Sequence, residues 1–218
     1  MSLSDIKAGI KAACKEAGRQ PEDVTLVAVS KNRSAEDILL LLENGQRVFG
    51  ENRIQAAADK WPALLKNFPD VALHFIGQLQ SNKAKDAVAL FDVIHTVDRA
   101  SLAEALSKEM QKQGKNLPCF IQVNTGDEVQ KGGIAMDDLP GFYKTCREDL
   151  GLNIIGLMCI PPVDEVPELH FALLHKQAKA LGLTQLSMGM SGDYAAAIRM
   201  QASHIRIGSA LFESYVNI

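Results

Sequence analysis

Little in this sequence is extreme, and each shortage closes off a class of protein. No apolar run approaches the length of a membrane-spanning helix, and the N-terminus lacks the apolar core of a signal peptide. No membrane partner or targeting segment is therefore expected. Net charge is −3, too small and of the wrong sign to draw the chain to nucleic acid. There are only four cysteines: Cys14, Cys119, Cys146 and Cys159. They are far apart and form neither a CxxC pair nor a zinc spacing. Cys119 and Cys159 lie inside apolar runs and read as reduced core thiols, so a cytoplasmic location is expected. No linker, low-complexity tract or short repeat divides the chain, and one domain spanning residues 1–218 is expected. Hydrophobic residues make up 47% and charged residues 22%, a balance that excludes disorder and supports a sizeable core.

What is present is a regular alternation. Residues 4–18 read as an amphipathic helix opened by Ser4-Asp5, with Ile6, Ile10 and Ala13 on one face. Apolar runs at 24–30, 47–50, 71–76, 91–97, 117–123, 154–160, 186–187 and 203–207 read as eight strands. Helical patterns follow them. One starts at Ser34 and ends at Asn44-Gly45; another carries Ile54, Ala57 and Trp61, and Pro62 is expected to interrupt or kink it. Further helices are expected through Leu102 to Met110, at about 137–150, at about 165–181, at 193–200, and as a last turn after Gly208. Residues 124–133 read as a polar loop. Eight strand–helix units in about 200 residues favour an α/β fold of one type, a closed (β/α)8 TIM barrel with an extra N-terminal helix. A doubly wound open sheet is the competing arrangement.

In such a barrel the chemistry lies at the C-terminal ends of the strands. Lys31 follows the first strand, and an ammonium at that mouth is expected to be partly desolvated and suited to a Schiff base with a carbonyl. A solvated strand-end lysine is the alternative. Two small-residue clusters follow the last two strands: residues 188–192, with Gly189, Ser191 and Gly192, and residues 206–209, with Gly208 and Ser209. Backbone N–H groups and hydroxyls there can hold a phosphate; short turns and helix caps are the bland reading. Arg206 lies within the last strand and, pointing inward, needs an acceptor. A phosphate at one end and a Schiff base at the other define one ligand. Pyridoxal 5'-phosphate (PLP) has both, with a pyridine nitrogen for Arg206.

The motifs then become specific. They run in order from residues 26–31 through Phe49-Gly50-Glu51-Asn52, His74-Phe75-Ile76-Gly77, Leu79-Gln80-Ser81-Asn82-Lys83 and Thr96-Val97-Asp98-Arg99. They continue with Gln122-Val123-Asn124, Glu128, Lys131, Gly133, Gly156-Leu157-Met158, residues 186–191, Asp193 and Arg206-Ile207-Gly208. Over almost its whole length the chain resembles the pyridoxal phosphate homeostasis protein family, single-domain relatives of the alanine racemase N-terminal barrel. The resemblance implies a PLP Schiff base on Lys31, phosphate contacts from Ser191, Gly208 and Ser209, and a pyridine contact from Arg206. It places Asn52 near the cofactor and gives Met188, Gly189 and Met190 the shaping of the phosphate side. His74 and Asn124 transfer more weakly, and a core histidine is the alternative for His74. Lys131 reads as a solvated charge and Lys83 as a helix-start lysine. Three departures stand out: Asn32-Arg33-Ser34 where threonine and proline usually follow the lysine, Gln78 for a common histidine, and Gln201-Ala202-Ser203 for a usual glycine-led triplet.

The expected function is PLP binding in intracellular vitamin B6 homeostasis, without conventional turnover. A racemase of this type needs an opposing tyrosine from a second domain, whereas Tyr143, Tyr194 and Tyr215 sit at no strand end and the sequence stops just past the barrel. PLP-requiring apo-enzymes are the expected recipients. A monomer is expected, with a dimer as the alternative. The competing function is a Schiff-base enzyme, either a weak PLP racemase or an aldolase acting on a phosphorylated carbonyl compound.

Overall fold

The computed structural model describes residues 1–126 and 132–212. Its strands are β1 (Thr25–Val29), β2 (Val48–Glu51), β3 (Ala72–Phe75), β4 (Val93–Val97), β5 (Cys119–Asn124), β6 (Ile134–Ala135), β7 (Ile154–Met158), β8 (Gln185–Ser187) and β9 (His204–Ile207). They pair in parallel in the order β4-β3-β2-β1-β9-β8-β7-β5, and β4 also pairs with β5, which closes the eight into a barrel. The expected TIM barrel is the one found. The two-residue β6 hangs on β5 just after the stretch expected to be loop, and the sequence pattern did not signal it.

The strands read as largely apolar runs because both faces are covered. In β1, Leu26 and Ala28 join the outer layer packed under the helices, while Val27 and Val29 turn into the barrel. The helices are α1 (Leu3–Glu16), α2 (Ala35–Glu43), α3 (Ile54–Asn67), α4 (Ala84–Leu90), α5 (Ala100–Gln113), α6 (Leu139–Lys144), α7 (Pro167–Ala180), α8 (Tyr194–Arg199) and α9 (Ser209–Phe212). α1 starts earlier than the Ser4-Asp5 signal suggested. The Ser2 hydroxyl accepts the Asp5 N–H at 3.1 Å and the Asp5 carboxylate accepts the Ser2 N–H at 2.8 Å, a reciprocal cap. Ser34 and Asp37 cap α2 in the same way. α1 then buries Leu3, Ile6 and Ile10, each contributing about 1.5–3 kcal/mol.

Two helices differ from expectation. Pro62 does not interrupt α3, which runs on to Asn67. Both Pro62 and Ala58, whose carbonyl loses its partner there, are exposed, so water takes up the freed acceptor. The helix expected over 137–150 is a short α6 continued by a π turn, Thr145–Asp149, closed by the Leu150 N–H on the Thr145 carbonyl at 3.0 Å.

Candidate functional site

The mouth formed by the C-terminal ends of the strands holds a cleft of about 340 Å³. Of the residues singled out in the sequence, Lys31, Asn52, Ser191, Arg206, Gly208 and Ser209 all line it, joined by Val29, Ile76, Gly77, Gln78, Ile160 and Met190. Parallel strands of one barrel end on one rim, which is why residues more than 170 positions apart in sequence meet there. Gly77 has its own reason. A Cβ there would overlap the backbone carbonyl of Asn52, so glycine lets the ends of β2 and β3 touch.

Met188 and Gly189 do not reach the cleft. The Met188 N–H bonds the His204 carbonyl at 3.0 Å, which continues the β8 ladder and sends the Met188 side chain outward into the core beneath the helices. Gly189 turns the chain with φ +93, and a Cβ there would lie 2.6 Å from that of Ala197. Its carbonyl accepts the Arg206 N–H at 2.9 Å. Met190, the next residue, brings its side chain to the rim.

Lys31 is exposed, contrary to the expected desolvation, because it lies two residues beyond the end of β1 in a turn. Among the described residues no carboxylate or carbonyl holds its ammonium. The turn itself is held firmly. Lys60, from α3, donates to the Ser30 carbonyl at 2.8 Å and to the Arg33 carbonyl at 3.1 Å. It also pairs with Glu51 Oε1 at 2.8 Å. That carboxylate oxygen accepts the Ser30 hydroxyl at 2.5 Å and the Trp61 indole N–H at 3.1 Å, and the Glu51 side chain is 1% exposed. Its other oxygen, Oε2, is buried without a hydrogen-bond partner among the described residues. Asn32, inside the turn, has φ 59, a left-handed conformation that asparagine tolerates better than most residues. Nothing in the local pattern around Lys60 marked it; the hint was a lysine beside a fully buried tryptophan.

Arg206 is buried, 4% exposed. It donates to the Ser187 hydroxyl at 2.7 Å and to the Cys159 carbonyl at 2.9 Å, and among the described residues it makes no salt bridge. Desolvation draws its pKa below the usual arginine value. Below it a polar chain descends into the barrel. The Ser187 hydroxyl, which accepts from Arg206, also shares a hydrogen bond with His95 Nδ1 at 2.8 Å. His95 Nε2 in turn shares one with His74 Nδ1 at 2.9 Å. His204 lies 5.7 Å from His95 and 6.0 Å from His74, ring to ring, and Phe120 stacks on His95 at 4.4 Å. Burial pulls His74 down to about 3 and His204 down to about 4, and holds His95 well below the usual imidazole range. All three are neutral near pH 7. His74 is thus a partnered core histidine. Ser187, His95 and His204 went unremarked in sequence, although each histidine interrupts an apolar strand run.

The remaining candidates lie off the cleft. Asn124 lines an adjoining cavity of about 220 Å³ that shares Ile76, Gly77, Gln78 and Ile160 with it. Lys83 starts α4 and faces Asp86 at 4.0 Å. Tyr143 accepts from Arg147, and the Tyr194 hydroxyl packs against Gly9 of α1. Glu128, Lys131 and Tyr215 lie outside the described residues. All four cysteines are buried and free, and burial pushes Cys119, Cys146 and Cys159 up to about 12, so they are thiols rather than nucleophilic thiolates.

The family model described as alanine racemase, N-terminal domain, matches residues 1–216. The chain is 35% identical over 224 residues to a protein of Escherichia coli K12 named pyridoxal phosphate homeostasis protein, covering 97% of this chain and 94% of that one. A protein of the same name from Pseudomonas aeruginosa is 38% identical over 216 residues, covering 97% and 93%. The solved structure of PipY from Synechococcus elongatus with PLP bound superimposes with a TM-score of 0.82 at 36% identity, covering 94% of this chain and 99% of PipY.

Proposed function

This chain belongs to the alanine racemase N-terminal domain family and, within it, to the pyridoxal phosphate homeostasis proteins, and from that premise we propose that it binds PLP at the barrel mouth and serves PLP homeostasis without conventional turnover. One observation carries the reading: a single cleft joins an exposed primary amine, a guanidinium, and hydroxyl and backbone donors. The donor set fits the group. PLP supplies an aldehyde that condenses with a primary amine and releases water. Lys31 offers that amine. Ser191 and Ser209, with the Gly208 backbone, offer neutral donors to a phosphate. Arg206, donor-only, serves the pyridine nitrogen and keeps a proton off it, which leaves the ring a weak electron sink. Asn52 flanks the ligand, and Gly189 acts from behind by allowing the turn that presents Ser191.

Support for holding over turnover comes from the lining. Among the described residues no tyrosine, histidine, cysteine or carboxylate lines the cleft, so no second acid–base group faces Lys31. Lys31 is also exposed, which suits delivery of the cofactor to PLP-requiring apo-enzymes. Four buried free cysteines suit a reducing compartment, and no helix among the described residues is long and apolar enough to cross a membrane. The proposed setting is the cytoplasm and the proposed form a monomer.

The test is a spectroscopic titration with PLP. The wild type gains a visible band, and Lys31→Ala loses it and binds PLP about tenfold or more weaker. An unchanged band in Lys31→Ala would overturn the assignment. Sustained racemisation of an amino acid by the loaded protein would replace the holding role with an enzymatic one.

A further inference from the structure

We propose that Lys60 is the positioning residue for Lys31, acting through the backbone of the turn that carries it, and that the same contacts keep Lys60 itself from reacting with aldehydes. The inference rests on the reading of the cleft as the PLP site. An ammonium has three N–H donors, and Lys60 has three acceptors: the Ser30 carbonyl, the Arg33 carbonyl and Glu51 Oε1. The two carbonyls bracket Lys31 and Asn32, so one ammonium pins both ends of a two-residue segment. That segment contains a left-handed non-glycine residue, a conformation that persists where its surroundings enforce it.

The anchorage continues downward. Glu51 is fixed by the Ser30 hydroxyl and by Trp61, whose ring packs against Phe49 at 5.0 Å between centroids. The line of contacts therefore runs from the core through Glu51 and Lys60 to the turn. The Lys31 side chain is exposed and long, so the placement of its Cα decides what its amine can reach. In the condensation, Lys31 Nζ bonds the aldehyde carbon, and the carbonyl oxygen leaves as water with both protons of the neutral amine. That needs a lone pair on nitrogen. Lys60 directs all its hydrogens at acceptors, one of them a carboxylate, and offers none. Two lysines stand close together in the fold, and only one is presented as a nucleophile.

Two probes separate positioning from general support: PLP, and pyridoxine 5'-phosphate, which has a hydroxymethyl group in place of the aldehyde. In the full-length protein Lys60→Met is expected to form the borohydride-reducible Lys31 adduct about tenfold or more slowly, with affinity for pyridoxine 5'-phosphate kept within about twofold. Glu51→Gln, which keeps an acceptor but loses its charge, is expected to show a smaller slowing of the same kind. Adduct formation at the wild-type rate in Lys60→Met would overturn the proposal, as would parallel loss of both probes. If Lys60→Met fails to fold by circular dichroism, Glu51→Gln decides, and a wild-type rate there counts against the proposal. Absence of any Lys31 adduct in the wild type would instead sink the reading of the cleft.

Discussion

Lys31 and Arg206 face the same cleft but are held by opposite means. On the β1 side the functional group is exposed, and the backbone around it is gripped by Lys60, a partly buried cation with a buried carboxylate partner. On the β9 side the functional group is itself buried and gripped, by the Ser187 hydroxyl and the Cys159 carbonyl, with the Asp193 carboxylate acting only from a distance and no salt bridge among the described residues. The difference suits the roles proposed for the two groups. An amine that must meet and release an aldehyde needs reach, whereas a guanidinium that reads a ring nitrogen needs a fixed direction. The two arrangements should therefore fail differently when cut.

The largest effect of a single substitution is expected on the β1 side. Lys60→Met leaves Glu51 buried without a cation, so stability should fall by about 3–5 kcal/mol in urea unfolding. A loss under 1 kcal/mol would mean that the pair is not the anchor. Next comes the polar layer beneath Arg206. His74 titrates at about 3 and His204 at about 4 when folded, against 6.5 when unfolded, and His95 is shifted in the same direction. The unfolded chain therefore binds more protons as pH falls from about 6.5 to 4, and His74 and His204 should each remove about 1 kcal/mol of stability per pH unit across that window, with His95 acting in the same direction. Stability should recover fully above pH 7. Flat urea midpoints between pH 7 and 5 would contradict the neutral relay.

Arg206→Met sharpens the contrast. Its buried charge, without a salt bridge among the described residues, carries a desolvation cost that a methionine removes, so the melting temperature should hold or rise while PLP affinity falls about tenfold. A drop in melting temperature as large as that of Lys60→Met would erase the distinction between the two sides. The smallest effect lies behind the cleft, at the end of α8. Gln201 has φ 74 in a cap where the Ala202 N–H bonds the Ala197 carbonyl and the Gln201 N–H bonds the Ile198 carbonyl. Glycine fits that position, and Gln201→Gly should add roughly 0.5–1 kcal/mol.

The fold was legible because the eight barrel strands read as short, mostly apolar runs alternating with helical patterns, a regularity that leaves few topologies. The rim residues were legible because a parallel barrel delivers strand ends to a single mouth, whatever their separation in sequence. What stayed hidden depended on register and on contacts between elements. Met188 still follows the β8 ladder into the core, and the left-handed turn at Gly189 then breaks the alternation and brings Met190 to the mouth. Lys60 sits on a helix with nothing beside it in sequence to mark a carbonyl-binding role. Ser187, His95 and His204 come together only when the barrel closes. The departures at Asn32 and Gln201 were visible as departures, but their meaning was not. They occupy the two positive-φ non-glycine positions among the described residues.

The central claim is that Lys31 alone is presented to an aldehyde at this mouth. The direct measurement is borohydride reduction of the PLP-loaded protein followed by peptide mass mapping. The account predicts one reduced adduct, on the peptide bearing Lys31, with Lys60 and Lys83 unlabelled. Label on Lys60, or spread evenly over surface lysines, would contradict it.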